Sequence, residues 1–136
     1  MLQAIFIAAF GLIGVFSRYY LGLFIPKFLG PPFPYATFLI NVVGAFIIGT
    51  VYVLGVERAV ISPDLRVGII VGLLGGFTTF SSYCLEAVRL AEQAEYFYAA
   101  LYILLSNGAG LVATFGGILL TRKLLSIVAW ARLIGA

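Results

Sequence analysis

The chain is predicted to be an all-α membrane protein with four transmembrane helices. Hydrophobic residues fill 63% of its 136 positions and charged residues only 10%, whereas a soluble domain of this size keeps about 25% charged residues to cover its surface. The mean hydropathy is +1.17, so the solvent for most of the chain is lipid. Apolar runs of about 20 residues, enough helix to cross a hydrocarbon core of roughly 30 Å, occur four times.

The first span covers about residues 4–23. Its leading stretch, "MLQAIFIAAFGLIG", lacks the basic leader and cleavage site of a secretory signal and reads as a retained span. It ends before "PKFLGPPFP", whose four prolines forbid helix. The second span covers about 35–56 and stops at Glu57 and Arg58. The third covers about 67–91 and contains an interruption at 75–79, "GGFTT". The fourth covers about 96–120 and stops at Arg122 and Lys123. The remaining segment, 121–136, is too short to span. With Trp130 and Arg132 it suits a membrane surface, although simple continuation of the fourth helix fits equally well.

Four spans put both termini on one side, together with Arg58, Arg66, Arg122, Lys123 and Arg132. Lys27 and Arg89 lie on the other side, and Arg18 is ambiguous. This modest bias favours cytoplasmic termini and leaves insertion in both orientations open. Gly68, Gly72 and Gly76 place a smooth stripe on one face of the third span. Such a stripe lets helices approach closely, either within one subunit or between copies. Together with Gly11, Gly14, Gly44 and Gly49, it favours a homo-oligomer.

Several function classes are excluded. With no histidine and a single cysteine, Cys84, the chain has no His-based metal site, no catalytic triad and no intrachain disulfide. A net charge of +3, scattered along the chain, does not fit nucleic acid. No catalytic pairing or cofactor fingerprint points to an enzyme.

Polar residues inside lipid are functional candidates by default. Asn41 lies in the second span, one turn after Thr37; its amide could serve an anion or hold two helices together. Tyr102, Ser106 and Thr114 fall on one stripe of the fourth span, with Gly110 in the gap. They could line a wet path, or each hydroxyl could bond back to its own helix. Asn107 lies beside this stripe without an assigned role. In the third span, Gly75 and Gly76 permit unusual backbone, and Thr78 and Thr79 are natural caps for a restarting helix. Freed carbonyls at such a break can bind a cation, and a restarting N-terminus favours an anion. Beyond the break lie Ser81 and the aromatic pair Phe80 and Tyr83, whose ring edges are electropositive. Glu86 continues that face, with Arg89 its expected partner.

These residues resemble a known family. "GLLGGFTTFSSY" is similar to the third-helix signature of the Fluc (CrcB-type) fluoride channels, "YATFLINVVGAFIIG" to their second helix and "GLIGVFSRYYLG" to their first. The resemblance covers nearly the whole chain in order. It implies an antiparallel, dual-topology homodimer in the cell inner (plasma) membrane, with two passive fluoride pores that lower the toxicity of cytoplasmic fluoride. It implies a structural Na⁺ at the dimer centre, held by backbone carbonyls of Gly75 and Thr78. It assigns the fluoride pore to Asn41, Thr79, Phe80, Ser81, Tyr83, Glu86, Tyr102, Ser106 and Thr114, and a vestibule to Arg18. Two positions depart from the family pattern: Tyr83 stands where Phe is usual, and Gly110 where a second serine is usual. The Tyr83 hydroxyl could add a donor to the path or turn away and bond elsewhere.

Two other readings stay open beside this one. A small multidrug-type cation exporter needs a carboxylate in the membrane, and the first three spans offer none before Glu86, near an end. A non-transporting structural subunit would use the same features only for packing.

Overall fold

In hydrocarbon a backbone must satisfy its own polar groups, and this chain does so with helix almost throughout. The computed structural model describes residues 1–135. Helix α1 spans Leu2–Phe24 and tightens into a 3-10 turn at Ile25–Lys27. Helix α2 spans Tyr35–Tyr52 and ends in a π-helical turn, Val53–Glu57. Helix α3, Pro63–Val67, is N-capped by the Ser62 hydroxyl. It runs on as a π-helical segment, Gly68–Leu74, and then as α4, Gly75–Phe77. Helix α5 spans Phe80–Glu92 and α6 spans Tyr96–Ile134. By continuity these form four stretches long and apolar enough to cross a membrane: Leu2–Lys27, Tyr35–Glu57, Pro63–Glu92 and Tyr96–Ile134.

The outward faces are apolar. On α6, Leu111 and Val112 are 75% and 73% exposed, a surface that water would not tolerate in a stable monomer. One cluster of buried residues lies at the end where α5 turns into α6. There Phe33, Ala87, Leu90, Ala99 and Tyr102 cluster, with the Phe33 and Tyr102 rings meeting edge to face at 5.3 Å. The turn between the helices closes with Glu95 N–H donating to the Leu90 carbonyl at 2.9 Å and Ala94 N–H to the Ala91 carbonyl at 3.0 Å.

The fourth helix does not stop at Arg122 and Lys123. Of the two readings for the tail, the helix follows the second, running on without interruption to Ile134; Ala136 lies outside the described residues. Leu, Ala and Arg there are good helix formers, and charge can end a membrane span without ending a helix. At 1.5 Å per residue the helix is about 58 Å long, so it reaches beyond a hydrocarbon core of roughly 30 Å.

Glycines set how closely the spans approach. The Gly68–Gly72–Gly76 stripe faces α1 of the same chain. A Cβ at Gly72 would sit 2.6 Å from the Ile7 carbonyl oxygen, and one at Gly14 2.2 Å from that of Leu73. Backbone meets backbone there, so of the two roles open to the stripe it takes the one within a single chain. Gly49 and Gly117 make the equivalent crossing of α2 with α6. A Cβ added at either would sit 2.2 Å from a facing carbonyl oxygen, that of Thr114 and that of Phe46 respectively. The same crossing carries a Thr121–Thr50 hydroxyl bond of 3.2 Å and an ion pair between Arg122 and Glu57.

Substitution at these contacts should therefore split the glycines into two groups. Gly14→Ala and Gly49→Ala each destabilise the bundle by about 1–3 kcal/mol, as overpacking does. Gly108→Ala, with nothing within 4 Å of its Cβ, is neutral or slightly stabilising through helix propensity. Thermal unfolding in detergent, followed by circular dichroism, distinguishes the groups.

Candidate functional site

The third span is interrupted at two residues and not over the whole of 75–79, because Gly75–Phe77 stays helical with Gly75 in ordinary right-handed backbone (φ −63°, ψ −35°). Thr78 (φ −81°, ψ 157°) and Thr79 (φ −147°, ψ 110°) are extended between α4 and α5. In a continuous helix the Thr79 N–H would return to the Gly75 carbonyl and the Ser82 N–H to the Thr78 carbonyl. Both are diverted. Thr79 N–H donates to Asn41 Oδ1 at 2.8 Å, and Ser82 N–H donates to Thr79 Oγ1 at 3.3 Å. The Gly75 and Thr78 carbonyls are thereby released from their helical partners.

Asn41 completes the splint by donating from Nδ2 to the Thr79 carbonyl at 3.1 Å. One amide side chain thus replaces the lost backbone partner of the Thr79 N–H and adds a second donor to a carbonyl that, as the N-cap of α5, also accepts the first bond of that helix. Thr79 is the N-cap of α5, and its hydroxyl donates to Ser82 Oγ at 2.9 Å with Ser81 Oγ at 3.5 Å. Thr78 Oγ1 donates back to the Leu74 carbonyl at 2.8 Å. Asn41 can reach this point because Gly44, one turn on, has no side chain where the Thr78 methyl lies: a Cβ would meet it at 2.2 Å.

Two cavities border this splint. One, of about 320 Å³, is lined by Asn41, Thr78, Phe80, Tyr83, Ser106 and Asn107, among others. Ser106 Oγ is buried with no hydrogen-bond partner, and Asn41 Nδ2 keeps a second hydrogen after its bond to Thr79. The other cavity, of about 330 Å³, is lined by Arg18, Thr37, Thr79 and Ser82, among others. Arg18 is half-buried and makes no ion pair among the described residues. The first cavity therefore offers neutral donors, and the second a fixed positive charge.

Glu86, further along α5 toward the end of the span, is partly buried. Thr37 Oγ1 donates to its Oε1 at 2.8 Å, and the fully buried Tyr102 donates to its Oε2 at 2.7 Å. The expected pairing with Arg89 is not formed: Arg89 is exposed, and α5 turns the carboxylate inward, where two hydroxyls meet it.

The aromatic residues form a chain of contacts. Phe80, 76% exposed, lies 5.6 Å from the Tyr83 ring, Tyr83 lies 5.2 Å from Tyr102, and Tyr102 lies 5.3 Å from Phe33. The fourth-helix stripe is divided. Tyr102 is committed to Glu86, Ser106 lines the first cavity, and Thr114 donates back to the Gly110 carbonyl at 3.0 Å. The Tyr83 hydroxyl accepts a bond from Asn107 Nδ2 at 3.0 Å. Sequence reasoning gave no role to Asn107 or Ser82 and did not connect Thr37 with Glu86. The available signal was polarity at depth: Thr37 and Asn107 are both intramembrane polar residues.

Among the described residues, no group of three or more His, Cys, Asp or Glu could hold a metal ion. The released Gly75 and Thr78 carbonyls are hard oxygen donors of the kind alkali ions take, and two of them from one chain make only part of a coordination shell.

Fold and site together define a polytopic helical membrane protein built around an interrupted span with polar cavities. Residues 5–118 match the model of the family described as CrcB-like protein, Camphor Resistance (CrcB). The chain belongs to that family. It is 42% identical to a Geotalea uraniireducens protein named fluoride-specific ion channel FluC, over 91% of this chain and 100% of that one. Proteins of the same name from Rhizobium etli and Geobacter sulfurreducens are 40% and 41% identical, over 91% and 87% of this chain and 99% and 95% of theirs.

The splint gives a direct test. Asn41→Leu leaves the buried Thr79 N–H without its partner, at about 1–3 kcal/mol. Hydrogen exchange at the Thr79 amide should accelerate about tenfold or more, with α6 amides unchanged.

Proposed function

We propose that this chain forms a passive, selective fluoride channel that lets cytoplasmic fluoride leave the cell. The observation that carries the reading is the cavity beside the splint, where an unpartnered Ser106 hydroxyl and a spare Asn41 amide hydrogen meet the start of α5. Family membership and the names of the relatives point the same way. Fluoride is small and tightly hydrated, so a path must replace its water with several short-range donors. Hydroxyls, an amide and ring edges supply them without a fixed cation that would hold the ion too long. Arg18, at the neighbouring cavity, gathers anions as a vestibule charge.

On this reading the third span acts as two half-helices, and the α5 N-terminus presents its positive dipole to the anion. Asn41, Thr79, Phe80, Ser81, Tyr83 and Ser106 line or border the path. Tyr102, Thr114 and Glu86 support it through the buried hydroxyl network and the α6 face. The functional unit is an antiparallel homodimer in the plasma membrane. Its centre holds a structural Na⁺ on the Gly75 and Thr78 carbonyls of both copies, which is supported by the release of those carbonyls from helical bonding. A proton-coupled cation exporter would need a carboxylate free to exchange protons with its substrate. Both Glu86 oxygens are engaged by hydroxyl donors, and Glu86 does not line the first cavity.

Purified protein in liposomes should release fluoride to a fluoride electrode while retaining chloride. Phe80→Ile should slow release about tenfold or more, equivalent to about 1.4 kcal/mol at the barrier. Chloride efflux at a comparable rate would rule out the selective channel. Orientation can be read in cells from Lys27→Cys in a Cys84→Ser background. An impermeant thiol reagent should label about half of the molecules if both orientations insert, and nearly all or none if the charge bias selects one. Replacing sodium with a bulky organic cation should weaken the dimer if the central ion is structural.

A further inference from the structure

Tyr83 carries a hydroxyl that a phenylalanine at the same place would lack, and the structure gives that oxygen a specific partner. Asn107 Nδ2 donates to it at 3.0 Å and donates its other hydrogen to the Ile103 carbonyl, one turn earlier on α6, at 2.7 Å. A carbonyl only accepts, so the Ile103 contact identifies which end of the amide faces it. Held at both hydrogens, the Asn107 amide has one orientation. The Tyr83 ring is held as well, against Phe80 at 5.6 Å and Tyr102 at 5.2 Å.

A phenol oxygen that accepts a hydrogen bond still has its own hydrogen to donate. Tyr83 lines the cavity of about 320 Å³ that Ser106 also lines, and Ser106 Oγ is buried there without a partner. We infer that Asn107 is a positioning residue: it occupies the acceptor side of the Tyr83 hydroxyl so that the phenol O–H is offered to an anion in this cavity, beside the Ser106 hydroxyl. The aromatic then contributes a directed, charge-assisted donor in addition to its ring edge. A small, hard anion gains most from such a donor, because its charge is concentrated at the shortest contact distance. The inference rests on the fluoride-channel reading for its ligand, and on the Asn107–Tyr83 bond for its geometry.

The test compares wild type, Tyr83→Phe, Asn107→Ala and the double variant in two measurements. In proteoliposome efflux, each single variant should slow fluoride about two- to tenfold, the span of one hydrogen bond. The double variant should be no slower than the slower single. Unchanged rates in both singles, or effects that multiply in the double, overturn the inference. The second measurement is the tyrosine ring Raman doublet, which reports whether a phenol donates or accepts and needs no transport. The Tyr83 contribution is isolated by subtracting the Tyr83→Phe spectrum. It should move toward the donor form when sodium fluoride is added to wild type, and Asn107→Ala should abolish that response. A doublet indifferent to fluoride overturns the inference even where efflux is normal. A responsive doublet in wild-type protein that releases no fluoride upholds the donor pair and removes the channel reading.

Discussion

The structure depends on one constraint: hydrocarbon offers no partner to a free backbone group, so any interruption of a spanning helix must be satisfied by protein. At Thr78 and Thr79 the helix is given up, and Asn41 from the neighbouring span accepts from the stranded Thr79 N–H while also donating to its carbonyl. That single amide ties α2 to the junction of α4 and α5. Its bond to the Thr79 N–H also leaves the Gly75 carbonyl without its helical partner. The lack of a side chain at Gly44 lets the Thr78 methyl come close enough for the bond to form.

The rest of the bundle holds this junction in register. On one side, α1 lies against the Gly68–Leu74 segment with glycines at the contact; on the other, α2 crosses α6 at Gly49 and Gly117. These seams need close approach because helices in lipid gain little from apolar burial and rely on packing and on interhelical hydrogen bonds. The Thr50–Thr121 bond and the Arg122–Glu57 pair secure the far end of the α2–α6 crossing. The Thr37–Glu86–Tyr102 network secures the end nearer the core. A carboxylate in that setting serves as an acceptor that holds two hydroxyls.

How much of the site was legible follows from the kind of information each residue carried. Asn41, Thr78, Thr79 and Ser106 stood out because polarity at membrane depth is costly, and the structure groups all four around or beside one cavity. The even stripe of Tyr102, Ser106 and Thr114 was less informative than its spacing implied. Helical periodicity gives a shared face but not a shared partner, and these hydroxyls go to Glu86, to the cavity and to Gly110 respectively. Glu86 and Arg89 show the same limit: i,i+3 spacing permits a pair, and the inward turn of the carboxylate toward Thr37 and Tyr102 overrides it.

The sequence by itself determined the class of protein, the number of spans and the place of the interruption, because each follows from composition or from local backbone preference. Apolar length dictates membrane crossing, and the Thr78–Thr79 pair marks where the helix stops and restarts, while Gly75 and Gly76 stay helical. Only the tertiary structure decided what the interruption is bonded to, which helices the glycines bring together, and where the Tyr83 hydroxyl turns. Those outcomes join Asn41 to Thr79, Gly14 to Leu73 and Asn107 to Tyr83, residues brought together by the packing of separate helices. No local pattern encodes a contact of that kind.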